Sequence, residues 1–129
     1  MGGDRGDTMS VSSPSIIICV PGSFSGGQVL REAARGVEEE SIPYEILTQA
    51  GEDAASLAYA GAELSVLEVG IGIDDKGFLA VHYRKLPPER PLYLLDYTKD
   101  TKDSKNIRTA CANAARLVKS TPFKEMKEA

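Results

Sequence analysis

The run Ile16-Ile17-Ile18-Cys19-Val20 is continuously apolar, mostly β-branched, and followed at once by a proline and a glycine. Such a run, bounded by turn-forming residues, is typical of a strand that is buried on both faces. After a glycine-rich loop, apolar side chains recur at the spacing of one helical face, at Val29, Leu30, Ala33, Ala34 and Val37. We therefore predict a strand over 16–20 and a helix over 28–40.

Strand and helix patterns alternate beyond this pair and then give way to consecutive strands. The further predictions are strands over 44–48, 66–73, 78–83 and 91–95, and helices over 52–63 and 106–119. Asp74-Asp75-Lys76-Gly77 has the residues of a hairpin turn. This order predicts an α/β fold, a three-layer single domain with a mixed, mainly parallel sheet of four to five strands flanked by helices. The order of the strands in the sheet stays open.

The length of 129 residues fits one domain. We expect a disordered polar leader over 1–14, the α/β domain over 15–123 and a polar tail over 124–129. The longest apolar runs are far shorter than the ~18 residues of a membrane-spanning helix. The sequence therefore predicts no contact with a membrane.

The charge balance is acidic, with a formal net charge of −4 and an isoelectric point near 5.0. Proteins that bind nucleic acid in general carry a basic balance, so we expect no nucleic-acid partner. Cys19 lies in the first apolar run and Cys111 on the apolar side of the last helix. Both are interpreted as buried free thiols in a reducing compartment, and their spacing matches no zinc site.

Two glycine groups allow alternative interpretations. The spacing of Gly22, Gly26 and Gly27 does not match the G-x-G-x-x-G fingerprint of dinucleotide-binding proteins. Gln28 stands where a phosphate-binding loop would carry Gly-Lys-Ser/Thr. A tight strand-to-helix turn is therefore favoured over nucleotide binding. Gly70 and Gly72 alternate inside the third strand, which favours close packing of a helix over a ligand or subunit contact.

The single histidine, His82, lies on a predicted strand face. A packed or hydrogen-bonded role is favoured over a general base, and no serine has a nucleophile-elbow context. The polar side of the last helix carries Arg108, Arg116 and Lys119. We interpret it as a solvated face in preference to a docking surface.

The most informative stretch is Glu38-Glu39-Glu40, in the last turn of the first predicted helix. Carboxylates at a helix C-terminus oppose the helix dipole, at a cost of about 0.3–1 kcal/mol each at exposed sites. Arg35, four residues before Glu39, offsets part of this cost in the weaker orientation of such a pair. Two interpretations stay open: a solvated, salt-bridged face, or a partner in the form of a divalent cation or a basic surface. One carboxylate cannot hold magnesium alone, so a partner or a nucleotide would supply the other ligands.

Three segments together resemble a known family. They are Val37-Glu38-Glu39-Glu40-Ser41-Ile42-Pro43-Tyr44, then Val81-His82-Tyr83-Arg84-Lys85-Leu86-Pro87, and then Asn113-Ala114-Ala115-Arg116-Leu117-Val118-Lys119 with Pro122-Phe123. In this order they resemble the small subunit of the reactivating factors of adenosylcobalamin-dependent diol and glycerol dehydratases. The similarity covers about residues 16–123.

The resemblance implies an α/β fold related to the dehydratase medium subunit and no active site in this chain. It implies two kinds of partner, an ATPase large subunit that binds ADP or ATP and the dehydratase subunits. The complex would release damaged cobalamin from inactivated dehydratase by subunit exchange, acting as a chaperone in the cytoplasm, with a possible bacterial microcompartment association. In the family a glutamate at the acidic helix end helps to coordinate magnesium at the interface with the large subunit. By its position in the motif this residue is Glu39.

Two departures keep an alternative open, namely that the chain is the medium subunit of a dehydratase. Ser41 stands where the family usually carries glycine, and the segment 70–77 is more similar to the medium subunit. The short length and the Pro122-Phe123 ending favour the reactivating factor.

Overall fold

The computed structural model describes residues 14–24, 27–99 and 105–126. The predicted leader, apart from Pro14, and the end of the predicted tail lie outside these ranges. The strands are β1 (Ile16–Val20), β2 (Tyr44–Thr48), β3 (Val69–Ile73), β4 (Phe78–Tyr83) and β5 (Tyr93–Asp96). The helices are α1 (Gln28–Glu39), α2 (Ala54–Leu64) and α3 (Lys105–Lys119). No helix within the described ranges combines the length and apolar character needed to cross a membrane.

The five strands form one mixed sheet in the order β2-β1-β3-β4-β5. β1 pairs in parallel with β2 and β3, whereas β3–β4 and β4–β5 are antiparallel pairs. Four of these strands therefore point the same way and β4 alone is reversed. This arrangement confirms the predicted mixed, mainly parallel sheet between helices.

Helix α2 covers one face of the sheet at unusually short range. An added Cβ at Gly70 would collide with the backbone of Ala58 and Ala62, and one at Gly72 with the backbone of Ala54 and Ala58, all inside the 3.0 Å limit of real Cβ contacts. The backbone of the helix thus lies directly on β3. The prediction that these glycines serve close helix packing is confirmed.

Helices α1 and α3 pack against each other on the opposite face. Gly36 makes this crossing possible, because a Cβ there would meet the carbonyl of Arg108 and, at 2.9 Å, the Cβ of Cys111. The main core lies between these two helices and the sheet. Cys19 and Cys111 are both free and buried, as predicted. Burial raises the pKa of the Cys19 thiol to about 11 and raises that of Cys111 further still.

His82 is fully buried on β4 and anchors the loop that follows it. Its Nδ1 lies 3.1 Å from the carbonyl oxygen of Tyr83 and its Nε2 lies 3.1 Å from that of Pro88. The ring of Tyr59 on α2 packs edge-on against the imidazole, with centroids 5.0 Å apart. This confirms a packed, hydrogen-bonded histidine.

The third strand begins three residues later than predicted. Ser65 is buried, and its hydroxyl donates to the carbonyl of Ser15 while accepting the N–H of Leu67. The chain then turns through Glu68, whose φ of 69° is left-handed, before β3 starts at Val69. Val66, apolar in the sequence pattern, is 64% exposed in this turn.

Candidate functional site

The candidate site is the acidic end of α1, which lies at the end of the sheet where β2 begins. Helix α1 ends at Glu39, and the backbone N–H of Ser41 donates to the carbonyl of Glu38 at 2.9 Å. Ser41 takes a left-handed conformation with φ of 62°. Glycine adopts this conformation most readily, so a glycine at this position could follow the same backbone path.

Glu40 is the buried member of the acidic group, with its side chain 8% exposed. Its Oε1 accepts a hydrogen bond from Lys119 Nζ at 2.8 Å, and its Oε2 accepts one from Arg116 Nε at 3.0 Å. Lys119 also donates to the backbone carbonyl of Glu40 at 3.0 Å. The hydrogen bond from Lys119 is the largest cause that holds the pKa of the Glu40 carboxyl below its ordinary value, and the hydrogen bond from Arg116 acts in the same direction. Glu40 therefore joins the C-terminal ends of α1 and α3.

A second ion pair joins the same two helices about two turns away. Glu32 is nearly buried, and its Oε1 accepts hydrogen bonds from Arg108 Nε at 2.8 Å and Nη2 at 2.6 Å. The prediction that Arg108, Arg116 and Lys119 form a solvated face is therefore wrong. Arg108 pairs with Glu32 of α1, and Arg116 and Lys119 pair with Glu40, which directly follows α1. The three basic side chains therefore lie on the side of α3 that faces α1.

Glu39, like Glu38, is accessible, with its side chain 39% exposed. Its Oε1 lies 3.3 Å from Lys124 Nζ, and its Oε2 lies 3.9 Å from Arg108 Nη1. Arg35 pairs with Glu32 at 3.5 Å instead of with the expected Glu39. The contacts of Glu39 are thus long and lie near the surface.

The residues after α3 complete this surface. The buried side chain of Asn113 accepts the N–H of Lys124 at 2.7 Å and donates to its carbonyl at 3.1 Å. These two hydrogen bonds to the backbone of Lys124 hold that residue beside the acidic helix end. No sequence motif indicated it, because the pairing depends on how the segment folds back along α3.

The donor chemistry of Glu39 fits magnesium as one ligand among several. Magnesium takes oxygen ligands in near-octahedral geometry, commonly one or two carboxylates together with waters and phosphates. Among the described residues no group of three or more His, Cys, Asp or Glu side chains could hold a metal. The remaining ligands would therefore come from solvent, a nucleotide or another subunit.

The topological switch point between β1 and β3 offers a different environment. Ligands of open α/β sheets often bind in such a crevice. Here the hydroxyl of Ser23, after β1, donates to the carboxylate of Asp75 in the hairpin after β3. Gly26, part of the candidate phosphate loop, lies outside the described residues. A carboxylate in this crevice repels phosphate. This repulsion is consistent with a tight strand-to-helix turn in preference to a nucleotide site.

The lowered pKa of Glu40 predicts a specific acid response. Because the folded-state pKa lies below the ordinary 4.5, this stabilisation is fully present above pH 4.5 and is lost as the pH falls through the folded-state pKa. We expect Glu40→Gln to lower the free energy of unfolding at pH 7 by about 2 kcal/mol, since hydrogen bonds to charged groups contribute about 1.5–3 kcal/mol. Urea unfolding at pH 7 and pH 3 measures this difference, which should shrink at the lower pH. The exposed Glu38→Gln is the matched control, and an equal effect of both variants would contradict the role of Glu40.

Comparison with known proteins places this geometry in a family. The family model for the dehydratase medium subunit matches residues 13–124. The diol dehydratase-reactivating factor small subunit of Klebsiella michiganensis is 36% identical over 115 residues, which cover 89% of this chain and 87% of that protein. The probable glycerol dehydratase-reactivating factor small subunit of Citrobacter freundii is 35% identical over 92% of this chain and all of that protein.

Solved structures give the same result. A glycerol dehydratase reactivase chain superimposes with a TM-score of 0.80 at 32% identity, covering 88% of this chain and 98% of its own length. A chain of diol dehydratase-reactivating factor complexed with ADP and Mg²⁺ gives a TM-score of 0.76 at 38% identity, covering 88% and 100%. The chain therefore belongs to the dehydratase medium subunit family, among the small subunits of diol and glycerol dehydratase-reactivating factors.

Proposed function

We propose that this chain is the non-catalytic small subunit of a reactivating complex for a diol or glycerol dehydratase. Together with an ATPase large subunit, it acts on dehydratase that holds damaged cobalamin. Exchange of subunits opens the dehydratase, the damaged cofactor leaves, and intact adenosylcobalamin enters. The observation that carries the proposal is the full-length similarity, in sequence and in fold, to reactivating-factor small subunits.

The placement of the reactive side chains supports a role without chemistry of its own. His82 is enclosed between two carbonyl oxygens and a tyrosine ring, which leaves no open nitrogen for a substrate. The thiols of Cys19 and Cys111 are buried and their pKa values are raised, so neither forms a nucleophilic thiolate near neutral pH. The paired charges between α1 and α3 instead hold a fixed surface for docking.

Glu39 is the residue of that surface that we propose to bind magnesium at the interface with the large subunit. The relative complexed with ADP and Mg²⁺ supports the presence of both in such complexes. Magnesium would there neutralise negative charge between the subunits. Glu39 contributes one anionic oxygen, and its weak contact with Lys124 is easily exchanged for the cation.

We expect Glu39→Gln to weaken magnesium-dependent association with the large subunit about tenfold or more, since even mutation of the residues that support a metal's ligands typically costs 10–100-fold in metal affinity. Folding should be unaffected or slightly favoured, because a negative charge leaves a helix C-terminus. Calorimetric titration of the two subunits with and without magnesium measures the effect, with Glu38→Gln as control. Equal affinities for Glu39→Gln and wild type in both conditions would exclude the metal role.

Subunit exchange tests the function as a whole. The chain and its ATPase large subunit are mixed with cobalamin-inactivated dehydratase, and the products are separated on native gels beside an activity assay. We expect a complex with the dehydratase, release of the medium subunit, and activity restored only with ATP, magnesium and fresh adenosylcobalamin. The alternative is that the chain is the medium subunit of a dehydratase. If the chain supports turnover with the catalytic subunits alone and without ATP, that alternative replaces the proposal.

A further inference from the structure

The segment after α3, residues 120–126, turns back along the helix and is held there at several points. Nη1 of Arg116 donates a hydrogen bond to the carbonyl of Pro122 at 2.8 Å. The ring of Phe123 lies beside that of Tyr93 on β5, with centroids 6.4 Å apart. The segment is therefore attached both to α3 and to the sheet, and we call it the tail.

The strongest attachment of the tail is at Lys124, whose backbone is bound by Asn113. The Asn113 side chain is fully buried, and besides its two hydrogen bonds to the Lys124 backbone it donates to the Tyr93 hydroxyl at 3.0 Å. Release of the tail would leave a buried amide without its partners, which is unfavourable. The backbone of Lys124 is thus fixed, and its side chain extends from a fixed point.

The ammonium group of Lys124 lies beside two carboxylates of the candidate site. Its Nζ is 3.3 Å from Oε1 of Glu39 and 4.0 Å from Oε2 of Glu40. The Lys124 side chain is 40% exposed, so water can replace these contacts. A lysine ammonium is a compact charge on a flexible stem. The side chain can therefore swing away from Glu39 while the backbone of the tail stays in place.

The basic side chains of α3 that contact the acidic group are held by shorter bonds. Arg108, whose Nη1 lies 3.9 Å from Glu39, makes hydrogen bonds of 2.6 and 2.8 Å to Glu32. Lys119 bonds a carboxylate oxygen at 2.8 Å and the backbone carbonyl of the same residue at 3.0 Å. Compared with these two side chains, Lys124 is the cation that leaves the acidic group most easily.

We propose that Lys124 is a tethered counterion, which pairs with Glu39 while the chain is free and releases it when magnesium binds at the interface with the large subunit. The inference rests on the proposed function, which assigns Glu39 to magnesium. In the free chain the ammonium neutralises part of the acidic helix end. A divalent cation must then compete with a charge that is already present, so its apparent affinity falls in proportion to the fraction of molecules in which Lys124 is released.

Lys124→Met tests the counterion in the full chain, because it removes the ammonium and keeps an unbranched stem. We expect the magnesium concentration that gives half-maximal association with the ATPase large subunit to fall about threefold, a factor within the range for an exposed ion pair. Calorimetric titrations over a series of magnesium concentrations, at a fixed concentration of ADP, measure it. Without magnesium the variant should bind no more tightly than wild type, because its carboxylate then has no cation.

Two further variants separate the position of the charge from the charge itself. Lys124→Arg keeps a cation beside Glu39 and should need at least as much magnesium as wild type. Lys76→Met makes the same change in net charge at an exposed position in the hairpin turn, at the other end of the sheet, and should leave the magnesium requirement unchanged. Circular dichroism confirms that each variant is folded.

The outcomes separate the inference from the function on which it rests. If Lys124→Met needs as much magnesium as wild type, or more, the counterion role is overturned while the proposed function stands. An equal fall with Lys76→Met, or tighter association with and without magnesium alike, overturns it as well. Wild-type association that does not respond to magnesium overturns both the counterion and the metal role of Glu39. A wild-type chain that binds no ATPase large subunit contradicts the proposed function itself.

Discussion

Gly72→Ala is expected to destabilise the domain by about 3 kcal/mol or more, near the upper end of the range for overpacked sites. The added methyl group would meet the carbonyl oxygen of Ala54 and the backbone nitrogen of Ala58 inside the contact limit. Both belong to the backbone of α2, so no side-chain rotation can relieve the collision. The helix would have to move away from β3 along its whole length.

Urea unfolding and thermal melting measure this loss, which corresponds to a fall in melting temperature of about 10 °C for a domain of this size. Gly22→Ala is the control, because among the described residues an added Cβ there meets just the Thr48 methyl, at 3.8 Å, and the backbone does not require glycine. A Gly72→Ala protein as stable as Gly22→Ala would show that α2 does not lie on β3 as described.

Asp74→Ala is the second substitution with a large expected effect. The carboxylate is 2% exposed, and its Oδ1 accepts the backbone N–H groups of Lys76, Gly77 and Phe78 at 2.9–3.0 Å. Its Oδ2 accepts the N–H of Ala54 at 3.1 Å, at the first residue of α2. One side chain thus forms the hairpin turn and fastens it to the helix. We expect a loss of about 3 kcal/mol, since each unsatisfied buried donor costs about 1–3 kcal/mol and part of the turn can regain water.

Asp74→Asn should lose less, because its amide oxygen can still accept the three turn N–H groups while its NH₂ faces the donor of Ala54. Asp75→Ala, at an exposed position that contacts Ser23, is the control. Denaturant unfolding gives the free energies, and hydrogen exchange at Ala54, Gly77 and Phe78 locates the change. If Asp74→Ala and Asp75→Ala lose equal stability, the carboxylate does not organise the turn.

The local sequence pattern predicted several of the short strands correctly. The predicted bounds of β1, β2 and β4 match the structure residue for residue, because each is a short run closed by proline, glycine or turn residues. The sequence also predicted the close packing at Gly70 and Gly72, since glycine inside a strand often marks a site where another backbone approaches closely. The order of the strands was not readable, because pairing along the sheet depends on contacts between distant segments.

The acidic helix end shows where sequence reasoning stops. The helix dipole identified Glu38, Glu39 and Glu40 as a group but could not tell which of them was buried. Glu40 is buried because Arg116 and Lys119, more than 70 residues later, reach it from α3. Arg108, Arg116 and Lys119 do share one side of α3, but without the register between the helices this spacing is equally typical of a solvated face.

The two buried thiols have a practical consequence for observing this protein at work. Alkylating reagents and maleimide dyes react with the thiolate, and Cys19 and Cys111 are both enclosed and protonated near neutral pH. A single cysteine introduced at the exposed Leu94 would therefore take a fluorophore selectively, with both native cysteines left in place. The natural core would remain intact, and the dye would report in real time when position 94 becomes covered and when it is exposed again.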